Sequence, residues 1–326
     1  MKKFSEKIWK PEEYTYEAAY GFVPNLMAYL HEDGENRPCM IILPGGGYCM
    51  VVPPEGEVVA NVFYEQGMNC FVLTYTTDIT MSVPLKKQPM EDASRAVRYI
   101  RKNASRFGID ASKIVLCGFS AAGHLCGSLG VHFKDVQDPD PELQAISNRP
   151  DGLILSYPVI TSGEFTHVYS IQALIGKDAP ETEREYFSLE KNVTPDTPPC
   201  FIWQTVEDDL VPVENSMMFA EACRKAGVPY AYYAFPHGPH GLSVNTPAYR
   251  KGEHGEWYTM EQVMKAVDAV REGKGIRVSE ERRKELIDQF SAPPPENVMD
   301  GFNPPECKDV AKWPELAQIW MESLWG

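Results

Sequence analysis

The chain has 326 residues, is 43% hydrophobic, and sets 31 Lys+Arg against 46 Asp+Glu for a formal net charge of −15. That length can bury one large α/β core with additions, and that acidity argues against nucleic acid or anionic membrane surfaces as partners. Apolar runs stay short of the roughly 20 residues a membrane helix needs, and Glu6, Lys7 and Lys10 interrupt the apolar stretch a secretory leader would require, so the protein is expected to be soluble and cytoplasmic.

The first informative element is 37–48, RPCMIILPGGGY, a buried-type strand that empties into three consecutive glycines. Without side chains, Gly45, Gly46 and Gly47 let backbone N–H groups approach a developing oxyanion closely. A glycine turn can also cradle phosphate, but no Lys-Ser/Thr follows this one. Residues 55–66 then place Val58, Val59, Val62 and Phe63 on one helical face, with Gly67 as the stop, and 69–75 reads as the next strand. Across 89–107, Ala93, Ala96, Val97 and Ile100 recur at helical spacing before Gly108.

Residues 113–119 form a β-branched strand that stops at Gly118-Phe119-Ser120, and 121–132 reads as the helix that follows. This pattern is a nucleophile elbow. A serine hydroxyl is a poor nucleophile, so the chain must hold Oγ on a sharp strand-to-helix turn beside a base, which demands small neighbours. Gly118, Ala122 and Gly123 supply them, although the usual pattern G-x-S-x-G has glycine where this chain has Ala122.

After a strand at 152–157, residues 161–199 carry short helical patterns and a proline-rich end, read as a small lid beside the acyl pocket. Residues 200–212, CFIWQTVEDDLVP, form an apolar strand opening into an acidic loop, where Glu207, Asp208 and Asp209 are candidates for the carboxylate that orients a base. A helix is expected at 214–226. Residues 230–240, YAYYAFPHGPH, give an aromatic strand and a loop with two histidines, of which His240 is the expected base and His237 its competitor. His124, one helical turn after Ser120, is expected to pack against the sheet. His31, His132, His167 and His254 lack a comparable strand-end context.

Residues 243–307 are a less expected insertion. Trp257, Met260, Val263, Met264 and Val267 mark one helix, 279–290 a second, and 292–305 a proline-rich bridge. The final helix aligns Trp313, Leu316, Ala317, Trp320 and Leu324 in a stripe expected to dock on the sheet, with the face of a homo-oligomer as the alternative. Eight cysteines, at 39, 49, 70, 117, 126, 200, 223 and 307, lack metal-type spacing and read as buried free thiols of a reducing compartment.

Alternating strands and helices predict an α/β architecture, a mostly parallel central sheet with helices on both faces and the site loops at strand carboxyl ends. The chain order Ser, Asp, His is that of the α/β-hydrolase fold and differs from the orders of the chymotrypsin and subtilisin folds. Residues 1–326 are read as one such domain, with 161–199 and 243–307 as additions.

On these motifs the chain resembles the bacterial α/β-hydrolase acetyl esterases, including acetyl xylan esterases, which are related to prolyl-oligopeptidase-like serine hydrolases. The resemblance covers most of the chain, through PGGGY at 44–48, CGFSAAGHL at 117–125, YPVITSGEF at 157–165, LEKNVTPDTPP at 189–199, EDDLVPVENS at 207–216 and FPHGPHGL at 235–242. It implies Ser120 as nucleophile, His240 as base and Asp208, three residues before a Val-Pro pair, as acid, leaving Glu207 and Asp209 as solvated loop acids. It also implies an oxyanion hole from the N–H groups of Gly46, Gly47 and Ala121. The implied activity is removal of acetyl groups from carbohydrates such as xylo- or manno-oligosaccharides through an acyl-enzyme, with no cofactor and no metal. Tyr48, Glu164 and His167 are expected along the sugar site. A peptidase or amidase is the alternative that the Asp-x-x-Val-Pro motif suggests, but small esters are expected because no propeller-sized segment precedes the catalytic part. A non-catalytic binding protein on the same scaffold is a further alternative, against which the complete Ser, Asp and His set argues.

Overall fold

In a computed structural model of the chain, the described residues are 1–274, 277–291 and 303–326. The strands are β1 (Lys2–Lys7), β2 (Asn25–Leu30), β3 (Arg37–Leu43), β4 (Asn69–Thr74), β5 (Ile109–Phe119), β6 (Gly152–Ser156), β7 (Cys200–Thr205) and β8 (Tyr230–Phe235). Among the described residues they form one eight-stranded sheet in the order β1-β2-β4-β3-β5-β6-β7-β8. Only β1 and β2 run antiparallel to their neighbours; β4-β3-β5-β6-β7-β8 is parallel throughout. In β4, β6 and β7 every residue is buried, as a parallel strand covered on both faces must be, which is why these segments read as unbroken apolar runs.

Helices cover both faces. On one lie α1 (Glu57–Glu65), through Val58, Val59 and Phe63, and the C-terminal helix; on the other lie α2 (Gln88–Lys102), α4 (Ala121–His132), α6 (Val168–Ile175) and α8 (Glu214–Ala226). The expected helix at 89–107 breaks at Asn103, whose ψ of 17° leaves the helical well, into α2 and the short α3 (Ala104–Phe107). Three more short helices are α5 (Pro141–Gln144), α7 (Glu181–Tyr186) and α9 (Pro247–Arg250).

The insertion after β8 folds as a helical pair, α10 (Glu261–Arg271) and α11 (Glu280–Ser291), with its own apolar cluster of Ile79, Val263, Ala266, Val267, Val270 and Leu286. Cys49 and Met50, just past the glycine loop, pack at its edge. Buried Gln262 fastens the pair to the strand-end loop, accepting from Thr77 N at 2.8 Å and donating to Thr77 O at 2.5 Å. Most of the proline-rich bridge expected at 292–305, namely 292–302, lies outside the described residues. The last helix, α12 (Trp313–Trp325), docks on the sheet: Trp313 stacks on Trp203 of β7 with centroids 5.3 Å apart and donates Nε1–H to Ser243 O at 2.8 Å. Among the described residues no helix is long and apolar enough to cross a membrane.

Candidate active site

Parallel strands put their carboxyl ends on one edge of a sheet, so the residues following β3, β5, β6, β7 and β8 converge there. Ser120 follows β5 directly, at φ 54° and ψ −120°. That conformation costs a non-glycine residue about 1–3 kcal/mol. Three bonds hold it: Ser120 N donates to Ser156 O at 3.0 Å, and Ser120 O accepts from Val159 N at 3.1 Å and His124 N at 3.2 Å. The small neighbours are required by contact, because a Cβ on Gly118 would lie 2.2 Å from Ala122 O and one on Gly123 would lie 2.7 Å from Pro158 Cβ. Ala122, where glycine is customary, is fully buried with its methyl group accommodated.

His240 Nε2 stands 2.9 Å from Ser120 Oγ, and His240 Nδ1 stands 2.8 Å and 3.0 Å from the two oxygens of Asp208. An acceptor-only carboxylate on Nδ1 fixes the tautomer with its proton there, which turns the Nε2 lone pair toward the serine hydroxyl. The Asp208 side chain is wholly buried and also accepts from Leu210 N at 3.0 Å, Val211 N at 2.8 Å and Gln204 Nε2 at 3.1 Å. The turn into Val-Pro thus aims two backbone donors at this carboxylate. Asp209, expected to be only a solvated loop acid, instead accepts from His240 N at 3.0 Å and pins the backbone of the base. His237 is not at the site: it is exposed and pairs with Glu207 at 2.9 Å, which holds the Glu207 carboxyl below its ordinary range.

The glycine loop packs directly on the nucleophile, since a Cβ on Gly45 would lie 3.0 Å from Ser120 Cβ. Gly45 N is engaged, donating to Glu55 Oε2 at 2.7 Å. Gly46 N, Gly47 N and Ala121 N take part in no hydrogen bond among the described residues. Gly46 has φ 125°, and a Cβ there would lie 2.4 Å from Met50 O, so no other residue fits.

The residues expected along a sugar site separate. Tyr48 does not face it: the side chain is 1% exposed and its hydroxyl meets His124 Nδ1 at 2.9 Å, beneath the glycine loop. His124 Nε2 lies 2.9 Å from Phe187 O, a pure acceptor, so Nε2 carries the proton and Nδ1 accepts from Tyr48. Burial pushes the His124 pKa down to about 4 and keeps the ring neutral. Glu164 is exposed on the surface. His167, half-buried, bonds Ser170 Oγ at 2.7 Å, and that oxygen lies 3.8 Å from where a Gly47 Cβ would sit, which sets His167 beside the glycine loop. Burial lowers the His167 pKa, and the nearby His240 charge lowers it further.

Two side chains that sequence reasoning did not nominate complete the surroundings. Tyr157, directly after β6, packs its ring edge-on against His240 at 4.8 Å and 68°. Its hydroxyl donates to Glu55 Oε1 at 2.6 Å. Neither role leaves a mark in hydrophobic periodicity, and Glu55 instead reads as the start of a helix. Among the described residues no group of three or more His, Cys, Asp or Glu side chains could hold a metal ion. A hydroxyl bonded to an imidazole, beside a glycine loop with unpaired N–H groups, is an arrangement able to add to a carbonyl carbon.

The BD-FAE family model matches residues 27–223. Endo-1,4-beta-xylanase B of Butyrivibrio fibrisolvens is 59% identical over 270 residues, 83% of this chain and 42% of that protein. An acetylxylan esterase of Xylanibacter ruminicola is 28% identical over 230 residues, 68% of this chain and 44% of that protein. The chain therefore spans less than half the length of these two relatives. Among solved structures, the acetyl ester-xyloside bifunctional hydrolase from Caldicellulosiruptor lactoaceticus aligns with a TM-score of 0.70 and 33% identity, over 83% of this chain and 97% of that one.

Proposed function

This chain belongs to the BD-FAE family of α/β-hydrolases, and on that premise we propose that it is a serine esterase removing short acyl groups, acetyl foremost, from carbohydrates such as xylo- or manno-oligosaccharides. The observation that carries the reading is the unbroken relay from Ser120 Oγ through His240 to Asp208, at 2.9 Å and 2.8 Å.

In the proposed mechanism His240 Nε2 takes the Ser120 proton as Oγ attacks the ester carbonyl, and the Gly46, Gly47 and Ala121 N–H groups receive the tetrahedral oxyanion. Collapse expels the sugar hydroxyl, protonated by His240, and leaves an acyl-enzyme. Water deprotonated by His240 then releases the acid and restores Ser120. Asp208 holds the imidazole tautomer and opposes its charge in both halves.

Support for the substrate class comes from the names of the acetylxylan esterase relative and the acetyl ester-xyloside hydrolase neighbour, and from the net charge of −15, which favours neutral esters over anionic ones. The xylanase name of the 59% identical relative points to the same polysaccharide. Glycosidic cleavage, however, uses two carboxylates flanking the bond, whereas the relay here is suited to acyl transfer. We place the segment 161–199 at the rim of the pocket, with His167 as its contact to the sugar.

The test is mass-spectrometric deacetylation of acetylated xylo- and manno-oligosaccharides, run beside p-nitrophenyl acetate and a prolyl anilide. Wild-type protein is expected to release acetate from the esters and leave the anilide intact, and Ser120→Ala to lose about a thousandfold or more in turnover while remaining folded. Undiminished hydrolysis by Ser120→Ala, or cleavage of the anilide alone, would sink the reading.

A further inference from the structure

We infer that Glu55 is a positioning residue for the proposed esterase, a buried carboxylate that ties the oxyanion loop to the His240 side of the site and faces the imidazolium with a second negative charge. The inference rests on the functional reading above and extends it to a residue outside the relay.

Glu55 ends a 3-10 turn at Pro53–Glu55 and is 5% exposed. Its two oxygens serve different loops. Oε2 accepts from Gly45 N at 2.7 Å, next to the N–H groups assigned to the oxyanion, and Oε1 accepts from Tyr157 OH at 2.6 Å. The Tyr157 hydroxyl in turn accepts from Ser243 N at 3.1 Å, three residues past the base, and its ring lies against His240. Ser243 Oγ closes the circuit by donating to Pro54 O at 3.0 Å. Tyr157 and Ser243 hold φ values of 37° and 48°, conformations that persist only where surrounding contacts enforce them. One carboxylate thereby spans the oxyanion loop and the loop of the base.

The charge argument is separate. A buried carboxylate is usually matched by a cation, yet among the described residues no Lys or Arg pairs with Glu55. The titratable groups facing it are Tyr75, Tyr157, Tyr249, Cys117 and His240, and of these only His240 becomes a cation during turnover. Burial raises the Glu55 pKa, while the bonds from Tyr157 and Gly45 and the His240 charge oppose that rise. The ionised form satisfies both donors, whereas a protonated Oε1 would leave the Tyr157 O–H without its acceptor. Besides Glu55, His240 is faced by Asp208 at Nδ1, by Asp209 at its backbone N–H and by His167 across the site.

The experiment is the pH dependence of fluorophosphonate labelling of Ser120 in wild type, Glu55→Gln and Tyr157→Phe, with p-nitrophenyl acetate kinetics alongside. Glutamine keeps an acceptor for Gly45 N and removes the charge. Losing a negative charge disfavours the imidazolium, so the acid limb of the labelling profile is expected to move about half a pH unit or more to lower pH. The plateau kcat should fall about tenfold with KM within about twofold. Tyr157→Phe should move both quantities in the same directions by less, and it carries the test should Glu55→Gln fail to fold. A limb that stays in place overturns the inference whatever happens to kcat, because loosened packing alone lowers kcat without changing the charge opposite the imidazole. A wild type that does not label overturns the functional reading and this inference together, whereas a labelling wild type with an unmoved variant overturns the inference alone.

Discussion

Gly46 shows how a backbone conformation can commit a single residue to chemistry. Its φ of 125° and its contact with Met50 O leave no room for a methyl group, so Gly46→Ala must shift the backbone N–H that the proposed mechanism assigns to the oxyanion. Steady-state kinetics on p-nitrophenyl acetate should show kcat reduced by about 10²–10³-fold, the usual cost of losing one such donor. His124 makes the complementary prediction for stability. Its folded pKa of about 4 lies below the unfolded value of 6.5, so the unfolded chain binds the extra proton between those limits. Stability should therefore fall as pH drops from 6.5 toward 4, by roughly 3 kcal/mol for this residue. His132, His167 and His254, also lowered by burial, add the same sign. Urea denaturation at pH 7.5 and pH 5 should show a smaller loss for His124→Gln than for wild type, and an equal loss would assign the acid sensitivity elsewhere. The meeting of Ser120, Asp208 and His240 was legible because each lies past a strand end with recognisable neighbours. Tyr48 was misread because an aromatic beside a glycine loop looks the same in sequence whether it faces solvent or the core. Asp209 and Glu55 were missed because their partners, the His240 N–H for the first and the Gly45 N–H and Tyr157 hydroxyl for the second, are set by loop geometry that residue pattern does not show.

Secondary structure was most legible where a parallel strand is buried on both faces, as in β4, β6 and β7, because continuous apolar runs bounded by turn residues admit few other readings. β1 escaped notice for the opposite reason. It is an antiparallel edge strand whose Lys2, Lys3, Ser5 and Lys7 are exposed, so KKFSEK carries one inward apolar residue, Phe4, and no strong alternation of apolar with polar residues. The α10–α11 pair matters through what it touches. Gln262 satisfies both backbone groups of Thr77, and the next residue, Asp78, donates its N–H to Tyr48 O at 3.0 Å, at the end of the glycine loop. Gln262→Ala strands a buried N–H and a buried C=O and should destabilise the protein by about 2–4 kcal/mol in urea denaturation. Hydrogen exchange should quicken first at residues 76–80 if the pair braces that loop, and uniform quickening would argue that it does not.

Across the whole molecule, all eight cysteines are free, six buried and two, Cys49 and Cys307, partly accessible. Ellman's reagent should therefore titrate at most two thiols in native protein and eight after denaturation; fewer than eight in the denatured, unreduced state would reveal a disulfide. The backbone at Ser120 carries a consequence of a different kind. A glycine there would accept the same dihedral angles without penalty, so the inert Ser120→Gly protein should melt at a higher temperature than the active one.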